Sequence, residues 1–223
     1  MRPPEPPLLV ITDRRQARAP LEEVAAALFA GGCRWLSLRE KDLPAAERLA
    51  LLRRLAALGK RFGAAVMVHD DVAAAEEAGA AGVHLPTGAS PRAARARLGA
   101  GALIGVSAHD ATEIAAAAGE GADYVTLSPI FLSASKPGYG PALGLGVLRR
   151  AHPLPVLGLG GIDLDTVAGC IAAGAAGVAV MGAAMRAADP ERYMRDLLTA
   201  AGPALAARGS RTHSHGEAAG RRV

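Results

Sequence analysis

Four times along this chain a glycine closes one segment and a strand-like run opens the next. The passages read AGGCRWLSL, AGAAGVHL, EGADYVTL and AGAAGVAV, with Gly32, Gly79, Gly121 and Gly174 recurring at intervals of 47, 42 and 53 residues. Each interval holds about two strand–helix units. Helix-to-strand turns favour glycine in any fold, so the count of elements around them decides the architecture. Strands are predicted at Leu8–Thr12, Trp35–Leu38, Ala65–His69, Gly82–Leu85, Leu103–Val106, Tyr124–Leu127, Val156–Leu159 and Gly177–Val180. Alanine- and leucine-rich helices are predicted between them, at about 20–30, 44–61, 72–78, 91–98, 110–119, 144–151 and 163–173, with a last one at 190–207. Pro44, Pro91 and Pro190 suit first helical turns, and Ser90, Asp110, Asp163 and Asp189 suit N-caps. Eight strands alternating with helices imply a parallel sheet, and eight is the number that closes. The expected fold is α/β: a single (β/α)8 TIM barrel with a C-terminal helix over residues 1–207, then a basic, disordered tail at 208–223.

Composition narrows the function classes. Of 223 residues, 51% are hydrophobic but only 3% aromatic, which implies an aliphatic core. No apolar run reaches the ~18 residues of a membrane span, and the start, MRPPEPPLLV, lacks the apolar centre of a signal peptide. Cys33 and Cys170 sit in apolar surroundings without metal-ligand spacing and read as buried thiols in a reducing, cytoplasmic compartment. The net charge of +4 is concentrated in the tail, where four arginines and one glutamate account for +3. The body is near neutral and has no basic stripe with interleaved aromatics, which argues against a nucleic-acid partner. His213 and His215 read as part of a solvated tail.

In such a barrel, function lies where the strands end. The chain has three lysines against 22 arginines, so a lysine at a strand end stands out. Lys60 fits a helix C-terminus. Lys41 follows strand 2 in LREK, where an extended backbone turns Arg39 and Lys41 to one side. Lys136 lies with Ser133 and Ser135 in the stretch Asp123–Gly144, which opens as strand 6 and runs on as a long loop, and long loops in compact domains are usually functional. Gly158-Leu159-Gly160-Gly161 after strand 7 and Met181-Gly182 after strand 8 occupy the usual phosphate site of this fold. Arg39, Lys41 and Lys136 would hold a second anion across the mouth. In HDD at 69–71, one aspartate is expected to cap the next helix and the other to be a candidate Mg²⁺ ligand. His84 and His109 stand at strand ends as either packing residues or proton carriers. Two anionic substrates with Mg²⁺ point to a condensing transferase.

These motifs, taken in order, resemble the thiamine phosphate synthase and thiazole tautomerase superfamily. ITD at 11–13, LREK at 38–41, HDD at 69–71, GVHLP at 82–86, GVSAHD at 105–110, ADYVTLSPIF at 122–131, SASKPG at 133–138, GLGGI at 158–162 and AGAAGVAVM at 173–181 carry the resemblance, from about Leu8 to Ala187. It implies joining of hydroxymethylpyrimidine diphosphate to thiazole phosphate, releasing pyrophosphate and thiamine phosphate. By the same resemblance Arg39, Lys41 and Lys136 bind diphosphate, aided by Ser107, Ser133 and Ser135. Gly160, Gly161, Met181 and Gly182 bind thiazole phosphate, Asp70 binds Mg²⁺, and Ser37, His69 and His84 contact substrate. The chain departs from the synthase pattern in three places. Ser37 stands where a Gln is usual and His69 where an Asn is usual, while Pro86-Thr87-Gly88-Ala89 lacks the second Mg²⁺ ligand at Ala89. HLPTGASP is closer to the tautomerase branch, yet Pro129 stands where that branch has its catalytic histidine. Synthase is the leading expectation, with a tautomerase or a non-catalytic phosphate-binding paralogue as alternatives. Oligomeric state is left open.

Overall fold

The computed structural model describes residues 2–132 and 140–219, with side chains through 208. Eight parallel strands close into one barrel in sequence order: β1 Leu8–Ile11, β2 Trp35–Leu38, β3 Ala65–His69, β4 Gly82–Leu85, β5 Leu103–Ala108, β6 Tyr124–Leu127, β7 Val156–Leu159 and β8 Gly177–Val180. The helices are α1 Leu21–Ala30, α2 Ala45–Arg61, α3 Val72–Ala78, α4 Pro91–Leu98, α5 Ala111–Gly119, α6 Val167–Ala172, α7 Gly182–Met185 and α8 Pro190–Ala219. All four repeat glycines take positive φ (107°, 58°, 85° and 120° for Gly32, Gly79, Gly121 and Gly174), so the turn conformation explains the repeat.

Alternation along each strand divides the core in two. The outward set packs beneath the helices, from Leu8, Val10, Leu36 and Val68 to Val178 and Val180, against Leu28, Leu52, Leu55 and Leu197. The inward set, Leu9, Ile11, Trp35, Met67, Leu103, Tyr124, Leu157 and Ala179, fills the barrel. Trp35 and Tyr124 meet edge to face with ring centroids 4.7 Å apart, and the Trp35 indole N–H donates to Met67 Sδ at 2.9 Å. Tyr124 has room because its register partner is Gly105, where an added Cβ would lie 2.1 Å from the tyrosine Cζ.

Some local expectations are corrected. The helix expected at 144–151 is a short 3-10 turn, Leu145–Arg149; Gly144 and Gly146 leave too little helix propensity there to sustain α geometry. Asp163 does not cap α6. Its Oδ1 accepts from the Asp165 and Thr166 amides and from the Thr166 hydroxyl, building a turn that delays the helix to Val167. Pro44 is the residue preceding α2 rather than part of it. α8 runs past 207 to Ala219, and the Arg208 guanidinium bonds the carbonyls of Gly174 and Ala175. Ser90, Asp110 and Asp189 do cap α4, α5 and α8. No helix of the described residues is long and apolar enough to cross a membrane.

Candidate active site

At the C-terminal ends of the strands the barrel opens into a cavity of about 540 Å³. Arg39, Lys41, His69, His84 and Ser107 line it on one side, and Gly160, Gly161, Met181 and Gly182 on the other. The layer of inward side chains beneath it is uneven. Ser37, His69, His84, Ser107 and Thr126 form a polar arc on β2 to β6. Leu159, Ala179, Met181 and Ile11 complete the ring with an apolar arc on β7, β8 and β1.

His84 is the centre of the polar arc. It is 1% exposed, and its ring stacks on that of His69 at 5.1 Å. Nδ1 lies 3.0 Å from the Tyr124 hydroxyl, and Nε2 lies 3.1 Å from Ser107 Oγ and 3.3 Å from Thr126 Oγ1. Burial drives the His84 pKa down to about 3, with a further push from the Arg39 charge, so the ring is neutral at physiological pH. Burial drives the Tyr124 pKa up, so that phenol keeps its proton. With the Tyr124 O–H donating to Nδ1 at 3.0 Å rather than to the more distant Met67 Sδ at 3.7 Å, Nε2 carries the ring proton and faces the Ser107 and Thr126 hydroxyl oxygens. His109 is different in kind: half-exposed, it shares its Nδ1 with Glu113 Oε2 at 3.1 Å and sits 3.4 Å from Thr87 Oγ1.

The LREK segment alternates as an extended chain should. Arg39 and Lys41 face the cavity. Glu40 points the other way and is 2% exposed. Its Oε1 accepts the Thr12 hydroxyl at 2.7 Å, and both carboxylate oxygens accept the Arg14 amide at 3.1 Å. Burial pushes the Glu40 pKa up, while these hydrogen bonds pull it back. Ser37 is fully buried below this level, with its Oγ lacking a hydrogen-bond partner. It does not line the cavity as the expected substrate contact would.

The two aspartates after β3 divide as their exposure dictates. Asp71 caps α3 through the Ala74 amide and pairs with Arg48 at 2.6 Å; the amide first and the guanidinium second outweigh its partial burial and hold its carboxyl below the usual range. Asp70 is exposed, with a positive φ of 57°, a strained conformation for a non-glycine residue. Its amide donates to the His84 carbonyl at 2.8 Å, which ties β3's end to β4's. Among the described residues no three His, Cys, Asp or Glu side chains converge on one point.

On the apolar side the glycines have a packing reason as well. A Cβ on Gly161 would come within 2.6 Å of Phe131 Cβ and 2.7 Å of the Leu132 carbonyl, and Gly161 has φ 63°. The start of the segment after β6 lies directly on this turn: Ile130 N–H donates to Leu159 O at 2.9 Å and Phe131 N–H to Gly160 O at 3.0 Å. The segment's far end returns to the same place, with Leu143 and Gly144 amides donating to Pro129 and Ile130 carbonyls. Ser133, Ser135 and Lys136 lie outside the described residues. Arg186, beyond α7, also lines the cavity on this side and bonds Gln16. No strand-end motif marks it, and its position past a four-residue helix is visible only in three dimensions.

Fold and mouth together define a (β/α)8-barrel enzyme whose candidate active site lies at the C-terminal ends of the strands. The profile of a family described as thiamine monophosphate synthase matches residues 8–184, and the chain belongs to that family. A Geobacter sulfurreducens protein is 45% identical over 197 residues, covering 86% of this chain and 92% of its own. The thiamine-phosphate synthase of Myxococcus xanthus is 41% identical over 201 residues, covering 88% and 92%. The solved thiamine phosphate pyrophosphorylase of Pyrococcus furiosus superposes with a TM-score of 0.79 at 29% identity, covering 89% of this chain and 96% of that one.

Proposed function

We propose that this chain is a thiamine-phosphate synthase that joins hydroxymethylpyrimidine diphosphate to thiazole phosphate. The observation that carries the reading is the pairing of Arg39 and Lys41 on one wall of a cavity whose opposite wall is a glycine turn. The two walls suit two different anions, and membership of the family supports reading them as the diphosphate and the monophosphate. In the reaction the bond from the pyrimidine methylene to the diphosphate oxygen breaks, and its electron pair leaves with pyrophosphate. The thiazole ring nitrogen then gives its lone pair to the methylene carbon. Arg39 would grip the departing diphosphate through two N–H donors and Lys41 would add a point charge. Stabilising that leaving charge in a partly desolvated mouth is the main catalytic contribution expected of the protein. Ser107 would hydrogen-bond the same group. Lys136, Ser133 and Ser135 are assigned to it on the sequence alone. Gly160, Gly161, Met181 and Gly182, with Arg186, would receive the monophosphate. A neutral His84, both of whose ring nitrogens are engaged, would act on an uncharged heteroaromatic ring through its apolar face and through the Ser107 and Thr126 hydroxyls it orients.

Asp70 stands beside the cavity-lining His69 but does not itself line the cavity, so Mg²⁺ would be held there only with the help of substrate phosphates. Asp70 is a single exposed carboxylate, and Mg²⁺ is commonly held by one or two carboxylates with substrate phosphates and water. Asp70 would hold it together with the diphosphate, where it would neutralise leaving-group charge. Asp71 is engaged elsewhere, and Ala89 offers no second ligand.

The tautomerase alternative would have to rest on His109, which lines the cavity and pairs with Glu113. Pro129 lines the cavity where a histidine would be wanted, and a His84 pKa of about 3 makes a poor base near neutrality. The test is to incubate both substrates with Mg²⁺ and assay thiamine phosphate and pyrophosphate. Formation of both in equal amounts is expected. Folded protein that yields neither would overturn the assignment.

A further inference from the structure

Lys41 lies between two acidic residues, and both are held by the loop after β1. Glu40 takes the Thr12 hydroxyl and the Arg14 amide. Asp42 pairs with Arg14 at 2.6 Å and Arg15 at 3.0 Å. Thr12 is fully buried, and while its hydroxyl donates to Glu40 its oxygen accepts the Arg39 amide at 2.9 Å. The backbone of residues 39–42 is thus fixed at its start and on both sides of Lys41. A buried glutamate within a cationic motif would ordinarily pair with the cations. Here it turns away from the cavity and is satisfied by the neighbouring loop instead.

We propose that Thr12 and Glu40 are positioning residues for the diphosphate site, forming a clasp between the β1 and β2 loops that aims Arg39 and Lys41 into the mouth. This rests on the reading of Arg39 and Lys41 as diphosphate ligands. Neither clasp residue touches substrate. Both act by denying the segment any other course. With the clasp open, the two cations stay in the chain but lose their common direction, and a displacement of about 1 Å is enough to cost around a hundredfold in a well-oriented site. Thiazole phosphate, bound on the far side, would not register the change.

The test compares Thr12→Val, which keeps the shape and removes the hydroxyl, with Thr12→Ser, which restores it, and with Glu40→Gln. Binding of inorganic pyrophosphate with Mg²⁺ is measured by calorimetry, and KM is measured for each substrate. Thr12→Val and Glu40→Gln are expected to weaken pyrophosphate binding and raise KM for the diphosphate by about tenfold or more. KM for the monophosphate should hold, and Thr12→Ser should recover most of the loss. Should Glu40→Gln fail to fold, the Val and Ser pair carries the comparison. Pyrophosphate binding to folded Thr12→Val as tight as to the wild type, or equal rises in both KM values, would overturn the clasp, as would absence of binding to the wild type. The expected binding pattern in a protein that makes no thiamine phosphate would sustain the clasp and reject the reaction.

Discussion

The two arcs of the upper barrel layer come from the same repeating unit yet have opposite chemistry. From β2 to β6 the inward positions are Ser37, His69, His84, Ser107 and Thr126. From β7 round to β1 they are Leu159, Ala179, Met181 just past β8, and Ile11. The polar arc works through side chains, and each needs support behind it. His84 leans on Tyr124, Tyr124 on Trp35, and Arg39 on Thr12 and Glu40. The apolar arc works through backbone, and its glycines are fixed by the loop lying on them. On the proposed reading, these positions would distinguish two ligands without any change of fold: one side by the direction of its donors, the other by its lack of side chains.

Four measurements would break or sharpen this contrast. The largest effect is expected from Arg39→Ala, which should lower kcat/KM for the diphosphate substrate by roughly a hundred- to a thousandfold, about 3–4 kcal/mol. Steady-state kinetics check it, and a loss shared equally with KM for the monophosphate would merge the two sides. Next, Gly161→Ala should destabilise the protein by roughly 2–3 kcal/mol through overpacking and a strained φ. In a domain of this size that lowers Tm by roughly 5–10 °C in a thermal scan. A Gly161→Ala protein with wild-type Tm would show that the loop can move off the turn.

The third measurement concerns the buried histidine. The His84 pKa is depressed from 6.5 to about 3 in the folded state. Between those values the unfolded chain binds a proton that the folded one refuses. The stability conferred by keeping His84 neutral is therefore complete above pH 6.5 and is lost as pH falls towards 3, at up to ~1.4 kcal/mol per pH unit. Denaturant titrations from pH 7 to 4 on wild type and His84→Gln should show a shallower slope in the variant. Equal slopes would mean that His84 titrates normally. The smallest effect is expected from Arg186→Ala, which should raise KM for the monophosphate by about 3- to 10-fold, worth around 1 kcal/mol. No change would leave the apolar side purely a backbone site.

The barrel itself was legible because it is periodic: strand runs, glycine turns and caps all repeat, and each is a local preference. Arg39 and Lys41 were legible for a related reason, since lysines are scarce and extended chain alternates. Glu40 shows the limit. As sequence it reads as one more charge in a surface cluster, because its partner Thr12 is 28 residues away and only closure of the β1–β2 pair brings them together. Arg186 was missed for the same reason of distance. Asp163 was misread because an aspartate before a helix can cap the helix or a turn, and Thr166 decided in favour of the turn. Ser37 is expected to contact substrate from its place in a motif, and the structure places it buried and outside the cavity lining, its Oγ without a hydrogen-bond partner.

Gly105 is not among the residues that line the cavity, but it constrains how this chain can diverge. Any side chain there would occupy the place of the Tyr124 ring, and that ring carries the hydroxyl facing His84. The two positions are therefore coupled. A descendant that replaces the glycine must shrink or move the tyrosine in the same step, and so must find a new neighbour for the histidine's Nδ1. The protonation of the mouth is in this sense inherited through a residue with no side chain.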